Sequence, residues 1–174
     1  MKKTLLLLTA FAACSLFAID QGRVDIDGTK DGIAIAKVKS NCNTQNATWG
    51  AEEKRRQILV NTMKPAANGE WQTMEVVFTV DKPGKIYFST AGDWAPTAEE
   101  RLFYIYKSAA VEPVSQNAEF TQNAAGKADN WGISNKAALV DGGVKVNHDA
   151  RASQAITVEP GKEYTLKATF KKAE

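Results

Sequence analysis

Histidine is nearly missing from this chain: His148 is the only one in 174 residues. Cysteine is almost as scarce, with Cys14 and Cys42 standing alone. A zinc site, or a nucleophile activated by a neighbouring base, is built from clusters of just these residues, so both chemistries lack their usual parts. There is no Gly-x-Ser-x-Gly elbow, no His-Glu-x-x-His helix and no phosphate-cradling glycine loop. A non-enzyme is therefore expected, although a carboxylate pair acting on glycosides would leave no sequence trace.

Neither sign of charge dominates. Lys and Arg number 22 and Asp and Glu 20; residues 1–18 hold two of the lysines and no acid, so the remainder carries 20 of each. Duplex nucleic acid is not an expected partner, because such binding needs a cationic face that releases counterions. Long hydrophobic runs are absent after residue 18, which gives no helical membrane span there. The opening MKKTLLLLTAFAACSLFA has paired lysines, an apolar run and then small residues, the layout of a secretory signal peptide. Cleavage after Ala18 and a secreted or periplasmic protein are expected. A second route stays open: Phe11-Ala-Ala-Cys14 is an imperfect lipoprotein box, and cutting there would leave a lipidated Cys14 at the outer membrane. Once Cys14 is removed, Cys42 has no partner for an intrachain disulfide. It reads as a small half-buried residue at a strand end.

What the chain has is alternation. Met74, Val76, Phe78 and Val80 fall on one side of an extended run, with Glu75, Val77 and Thr79 on the other. Tyr164, Leu166, Ala168 and Phe170 repeat the pattern against Thr165, Lys167, Thr169 and Lys171. Shorter β-type runs occupy Gly32–Lys39, Arg56–Met63, Lys85–Thr90, Leu102–Lys107, Ala137–Val140, Val144–Asn147 and Gln154–Val158. Turn clusters separate them, among them DGTKDG at Asp27–Gly32, DKPG at Asp81–Gly84 and EPG at Glu159–Gly161. Only Ala51–Arg56 and Ala98–Arg101 have helical flavour, and each is too short to be more than a turn. Many short strands at this spacing predict an all-β, antiparallel β-sandwich or barrel. The length suits a single domain over 19–174, with halves 19–112 and 113–174.

FTVDKPGKIYFSTA (Phe78–Ala91) and ITVEPGKEYTLKATF (Ile156–Phe170) say nearly the same thing: a β-run, an acid, Pro-Gly, a lysine, then a second β-run with a tyrosine. Pro-Gly presets turn types that fit a tight two-residue hairpin poorly. Both units are therefore expected at longer loops or at corners where the chain changes sheet.

Asn117, Phe120, Trp131, Ser153, Gln154, Pro160, Gly161, Tyr164 and Lys171 form a phrase that resembles the first half of secreted galactose-binding-like carbohydrate-binding modules. Trp71 and Phe78, in GEWQTMEVVFTVDKPGKIYFSTAG, are similar to landmarks of the second half. The halves occur in reversed order here, which the resemblance explains either by circular permutation or by a half-domain completed on a neighbour. Ala118 and Glu119 stand where the family has Gly-Asp, and LFYIYKSAAVE lacks the family's acidic residue. The resemblance implies a jelly-roll sandwich, buried structural roles for Trp71 and Trp131, and a glycan or polysaccharide partner.

Sugars are held by an aromatic face stacked on C–H groups and by planar polar side chains that take the hydroxyls. Trp49 and Trp94 lie in segments that no alternation assigns to the core, and are the expected stacking residues. VNHDARASQ adds Asn147, His148 and Arg151 around Asp149, a donor and acceptor set for hydroxyls or a carboxylate. Asp25, Asp27 and Asp31 have a spacing reminiscent of calcium loops, without the downstream glutamate; a plain Asp-Gly hairpin turn is the favoured reading and no cofactor is expected. The alternative to glycan binding is a periplasmic or cell-surface structural module that binds a protein partner or its own copy.

Overall fold

The computed structural model describes the backbone of residues 20–49 and 56–174, and the side chains of 20–47 and 58–174. The expected leader with Cys14, and most of the turn expected at 51–56, lie outside the described residues. In chain order the strands are β1 (Gly22–Asp27), β2 (Ile35–Ser40), β3 (Asn43–Trp49), β4 (Arg56–Met63), β5 (Gln72–Val80), β6 (Gly84–Gly92), β7 (Tyr104–Glu112), β8 (Gly132–Ile133), β9 (Ala138–Val140), β10 (Gly143–Val146), β11 (Ala152–Val158) and β12 (Tyr164–Lys172). The first sheet has the order β3-β4-β1-β6-β11-β8 and the second β2-β5-β12-β7-β10-β9, with every neighbouring pair antiparallel. The protein is an antiparallel β-sandwich.

Alternation dictates the packing. A strand's side chains point to opposite faces in turn, so the even-numbered residues of β5 and β12 enter the core together: Met74, Val76, Phe78, Leu166, Ala168 and Phe170 are completely buried. From the first sheet Val24, Ile26, Ile86 and Phe88 meet them, and one hydrophobic cluster runs through both sheets. Each of these side chains larger than alanine contributes about 1.5–3 kcal/mol by leaving water, set against the entropy of ordering it.

The repeated phrases turn out to be two arches. DKPG carries the chain from β5 in the second sheet to β6 in the first, and EPG carries it back from β11 in the first to β12 in the second, so the corner expectation holds. The arches also interlock, since β6 pairs with β11 and β5 with β12. DGTKDG departs from the expected hairpin. β1 and β2 belong to different sheets, and a short 3₁₀ turn over Thr29–Asp31 makes this a third corner. It is latched to the DKPG corner: Asp31 Oδ2 accepts the Lys85 N–H at 2.7 Å, and Asp81 Oδ1 accepts the Ala34 N–H at 2.8 Å.

Both halves contribute strands to each sheet, β11 lying beside β6 in the first and β12 inserted between β5 and β7 in the second. β1 and β12 do not pair; they face one another across the core. At Gly22 a Cβ would stand 2.3 Å from the Phe170 ring, so only glycine lets the sheets approach there. One oxygen bridges the sheets nearby. Tyr106 Oη accepts the Arg23 N–H at 2.7 Å and lies 2.9 Å from both the Arg23 and Ala91 carbonyls.

Two tryptophans behave differently from one another. Trp131 is buried against Phe120 and Phe88, ring centroids 4.4 and 5.3 Å away, and its Nε1–H donates to the Asn117 carbonyl at 2.9 Å. Trp71, expected in the core, is 39% exposed. Its position explains this, because it precedes β5 in phase with the outward-facing Thr73 and Glu75 rather than with Met74.

Candidate functional site

At the end of the sandwich where β1 starts and β6 and β10 finish, charged side chains from distant segments meet. Alternation sends Val24 and Ile26 inward and leaves Arg23 and Asp25 together on the outer side of the first sheet. There Arg23 grips Asp25 with two nitrogens, Nε to Oδ1 at 2.7 Å and Nη2 to Oδ2 at 3.0 Å, and both residues are buried. Such a two-pronged, charge-assisted contact is among the stronger side-chain bonds. Asp25 Oδ2 also receives Arg151 Nη1 at 2.7 Å.

Arg151 is held on three sides. Its Nε donates to the His148 carbonyl at 3.0 Å, and its backbone N–H donates to Ser134 Oγ at 2.8 Å. Asn147 is buried and works as a staple, its Oδ1 accepting the N–H groups of Asp149 and Ala150, each at 2.9 Å. The resulting turn presents His148 and Asp149, with His148 Nδ1 3.1 Å from Asp149 Oδ1 and Arg101 Nη1 bonded to Asp149 Oδ2. These two contacts, the hydrogen bond from His148 first and Arg101 second, hold the Asp149 carboxyl below its ordinary pKa.

Arg101 turns back to the loop after β6, where its Nε donates to the Ala95 carbonyl at 3.1 Å. In that loop Trp94 is 46% exposed, its N–H held by Asp93 Oδ1 at 2.8 Å, and Asp93 stands 3.7 Å from Arg23. A circuit closes: Asp93, Arg23, Asp25, Arg151, the 147–149 turn and Arg101 lead back to the residue after Trp94. The indole is thus presented to solvent on a loop tied down on both sides.

Trp94, Asn147, His148 and Arg151 come together in this cluster, and Asp25 joins them as an ion-pair partner. Trp49 does not. It was expected in a connection, but pairing of β3 with β4 continues through Trp49 opposite Arg56, which puts it at the far end of the first sheet; its side chain lies outside the described residues. Asp27 and Asp31 are also elsewhere. Asp27 Oδ1 accepts the Thr29 N–H at 2.8 Å and Asp31 latches the corner already described, so the three aspartates each have separate structural partners. Among the described residues no three His, Cys, Asp or Glu side chains gather to hold a metal ion. Cys42 is half-buried between β2 and β3, and burial raises its thiol pKa.

Sequence reasoning did not find Arg23, Asp93 or Arg101. Arg23 and Asp25 two apart on a β-type run was a usable signal; nothing local marks the other two.

No family model matches the chain, and neither does any curated protein or solved structure.

Proposed function

We propose that this is an exported, non-catalytic glycan-binding module, of the galactose-binding-like jelly-roll kind, that stacks a sugar ring on Trp94. The observation that carries the reading is a large, exposed indole on a loop that polar contacts hold rigid. An aromatic plane fixed in advance loses little freedom on binding, so less of the gain from burying it is lost to ordering. Around it His148, Asp149, Arg101 and Arg151 supply donors and acceptors for hydroxyl groups. No cofactor enters the reading. Retention of the purified protein by a panel of soluble and insoluble polysaccharides tests it, with Trp94→Ala and Trp49→Ala alongside. Loss of retention by about tenfold or more in Trp94→Ala is expected, about 1.4 kcal/mol. Wild type that no glycan retains, or Trp94→Ala that binds equally well, would rule the reading out.

A second reading has one observation of its own. β3 is the outermost strand of the first sheet, and NTQNATW carries neither lysine nor proline; β2, the corresponding edge of the second sheet, has Lys37, Lys39 and a bulge between them. Among the described residues no strand pairs with the outer side of β3, and polar edges of this kind can add a strand from a partner. Gln45→Lys combined with Asn46→Lys should abolish any protein capture that runs through that edge.

A further inference from the structure

The outer side of the second sheet carries a different arrangement. Lys171 of β12 is in register with Ile105 of β7, and Ile105 with Lys145 of β10, so the two lysines flank one outward row across three strands. Neighbouring strands lie about 4.8 Å apart, which sets the two lysine backbones roughly 10 Å from each other. A third lysine joins through an irregularity. Phe170 pairs with Tyr106 and Thr169 with Ser108, leaving Lys107 as the extra residue of a bulge. Bulges re-aim side chains, and Lys107 Nζ comes to lie 5.2 Å from the centre of the Trp71 ring, as does Lys171 Nζ. Lys145 Nζ stands 5.1 Å from the centre of the Phe103 ring, and Phe103 and Trp71 are each 39% exposed.

None of these three lysines pairs with a carboxylate among the described residues. Two acids near this face are engaged elsewhere, Glu112 with Lys167 at 3.1 Å and Asp20 with Lys172 at 2.7 Å. Aromatic faces attract ammonium groups and hold them in place, but two cations on one ring repel each other. An anion between them removes that repulsion, and a polymer with regularly spaced anions meets the whole row at once. The surrounding surface is hydroxylated: Thr73 and Thr169, in register beside Trp71, share a hydrogen bond of 2.8 Å. Hydroxyl partners suit sugar rings better than hydrocarbon.

We infer that the outer face of the second sheet, through Lys107, Lys145 and Lys171 on their Trp71 and Phe103 platforms, binds an acidic polysaccharide. The site uses none of the residues proposed for Trp94 and stands independently of that reading.

Affinity electrophoresis of the full chain tests it in gels containing polygalacturonate, dextran sulfate or neutral dextran. Retardation is expected in at least one acidic gel and not in neutral dextran, and it should fade as salt is raised. The combined Lys107→Gln, Lys145→Gln and Lys171→Gln variant should weaken binding about tenfold, since three exposed pairs contribute modestly each. Trp71→Ala should lose several-fold and Trp71→Phe less, by the ranking of rings as cation platforms, while Trp94→Ala should be retarded like wild type. Thermal melts of each variant confirm that it is folded. The inference fails if neither acidic polymer retards wild type, if the folded triple variant is retarded equally, or if phosphatidylglycerol vesicles or an oligo-dT strand bind more tightly than both acidic polymers.

Discussion

Tyr106 brings a single hydroxyl to the place where the two sheets face each other. Burial raises its pKa well above the ordinary tyrosine value, so it remains a neutral donor and acceptor. Tyr106→Phe would remove the hydroxyl that contacts the Arg23 N–H and the Arg23 and Ala91 carbonyls, and each buried hydrogen bond lost costs about 0.5–1.5 kcal/mol. Urea unfolding should show that loss as a lower midpoint with an unchanged slope. Asp149 makes a prediction about pH. Its folded pKa lies below the ordinary value of 3.8, so its contribution is complete above that value and is lost as pH falls through the lowered one. Stability measured from neutral pH downward should drop at the acid end, and Asp149→Asn should drop by up to ~1 kcal/mol less, because the pair is partly solvated. Trp71 shows how far single residues could be read. The parity that sends Met74, Val76 and Phe78 inward already places position 71 outward, and the expectation of a buried ring came from resemblance instead. Trp94 and the 147–151 turn were legible as polar loop positions. Asp93 and Arg101 were not, because their partners lie far away in sequence and only the topology supplies them.

The two Pro-Gly arches show what a phrase does and does not determine at the level of strands. Both change sheet, as the turn chemistry implies, yet their tyrosines go opposite ways: Tyr164 is buried and Tyr87 half-buried beside Lys30, 4.3 Å from its ring centre. Lys82 is the reason. It adds one residue between the acid and the proline of the first arch, and in a strand a one-residue shift exchanges the faces. Counting six residues from the last inward valine reaches Ile86 after Val80 and Tyr164 after Val158. Deleting Lys82 should therefore turn Ile86 and Phe88 outward, and urea unfolding should record a loss of roughly 3–6 kcal/mol from those two side chains. Tyr87 would turn inward between the places they leave and offset part of that loss. Elements without alternation stayed hidden. NTQNATW has no apolar face, and becomes β3 only because β4 offers it an edge; β8 is two residues long and exists as an addition to β11. DGTKDG was misread as a hairpin because nothing in a turn's composition says whether the next strand joins the same sheet.

At the scale of the whole molecule, a two-sheet antiparallel architecture was legible, since period-two patterns and turn spacing both demand it. The pairing order was not. Removing residues 113–174 takes β12 from between β5 and β7, and β11 from the side of β6. A fragment of residues 19–112 should consequently lack a cooperative thermal transition, and its amide NMR spectrum should be poorly dispersed. A sharp melt from that fragment would contradict the shared core described above.

The Asp20–Lys172 ion pair sits where β1 enters and β12 leaves, on the same side of the sandwich. A load applied through neighbouring segments at residues 20 and 172 would pull across the sheets rather than along the strands. Hydrogen bonds would then open in sequence from that side, like a zip, instead of resisting together in shear. As an anchor under tension, this protein should yield at low force.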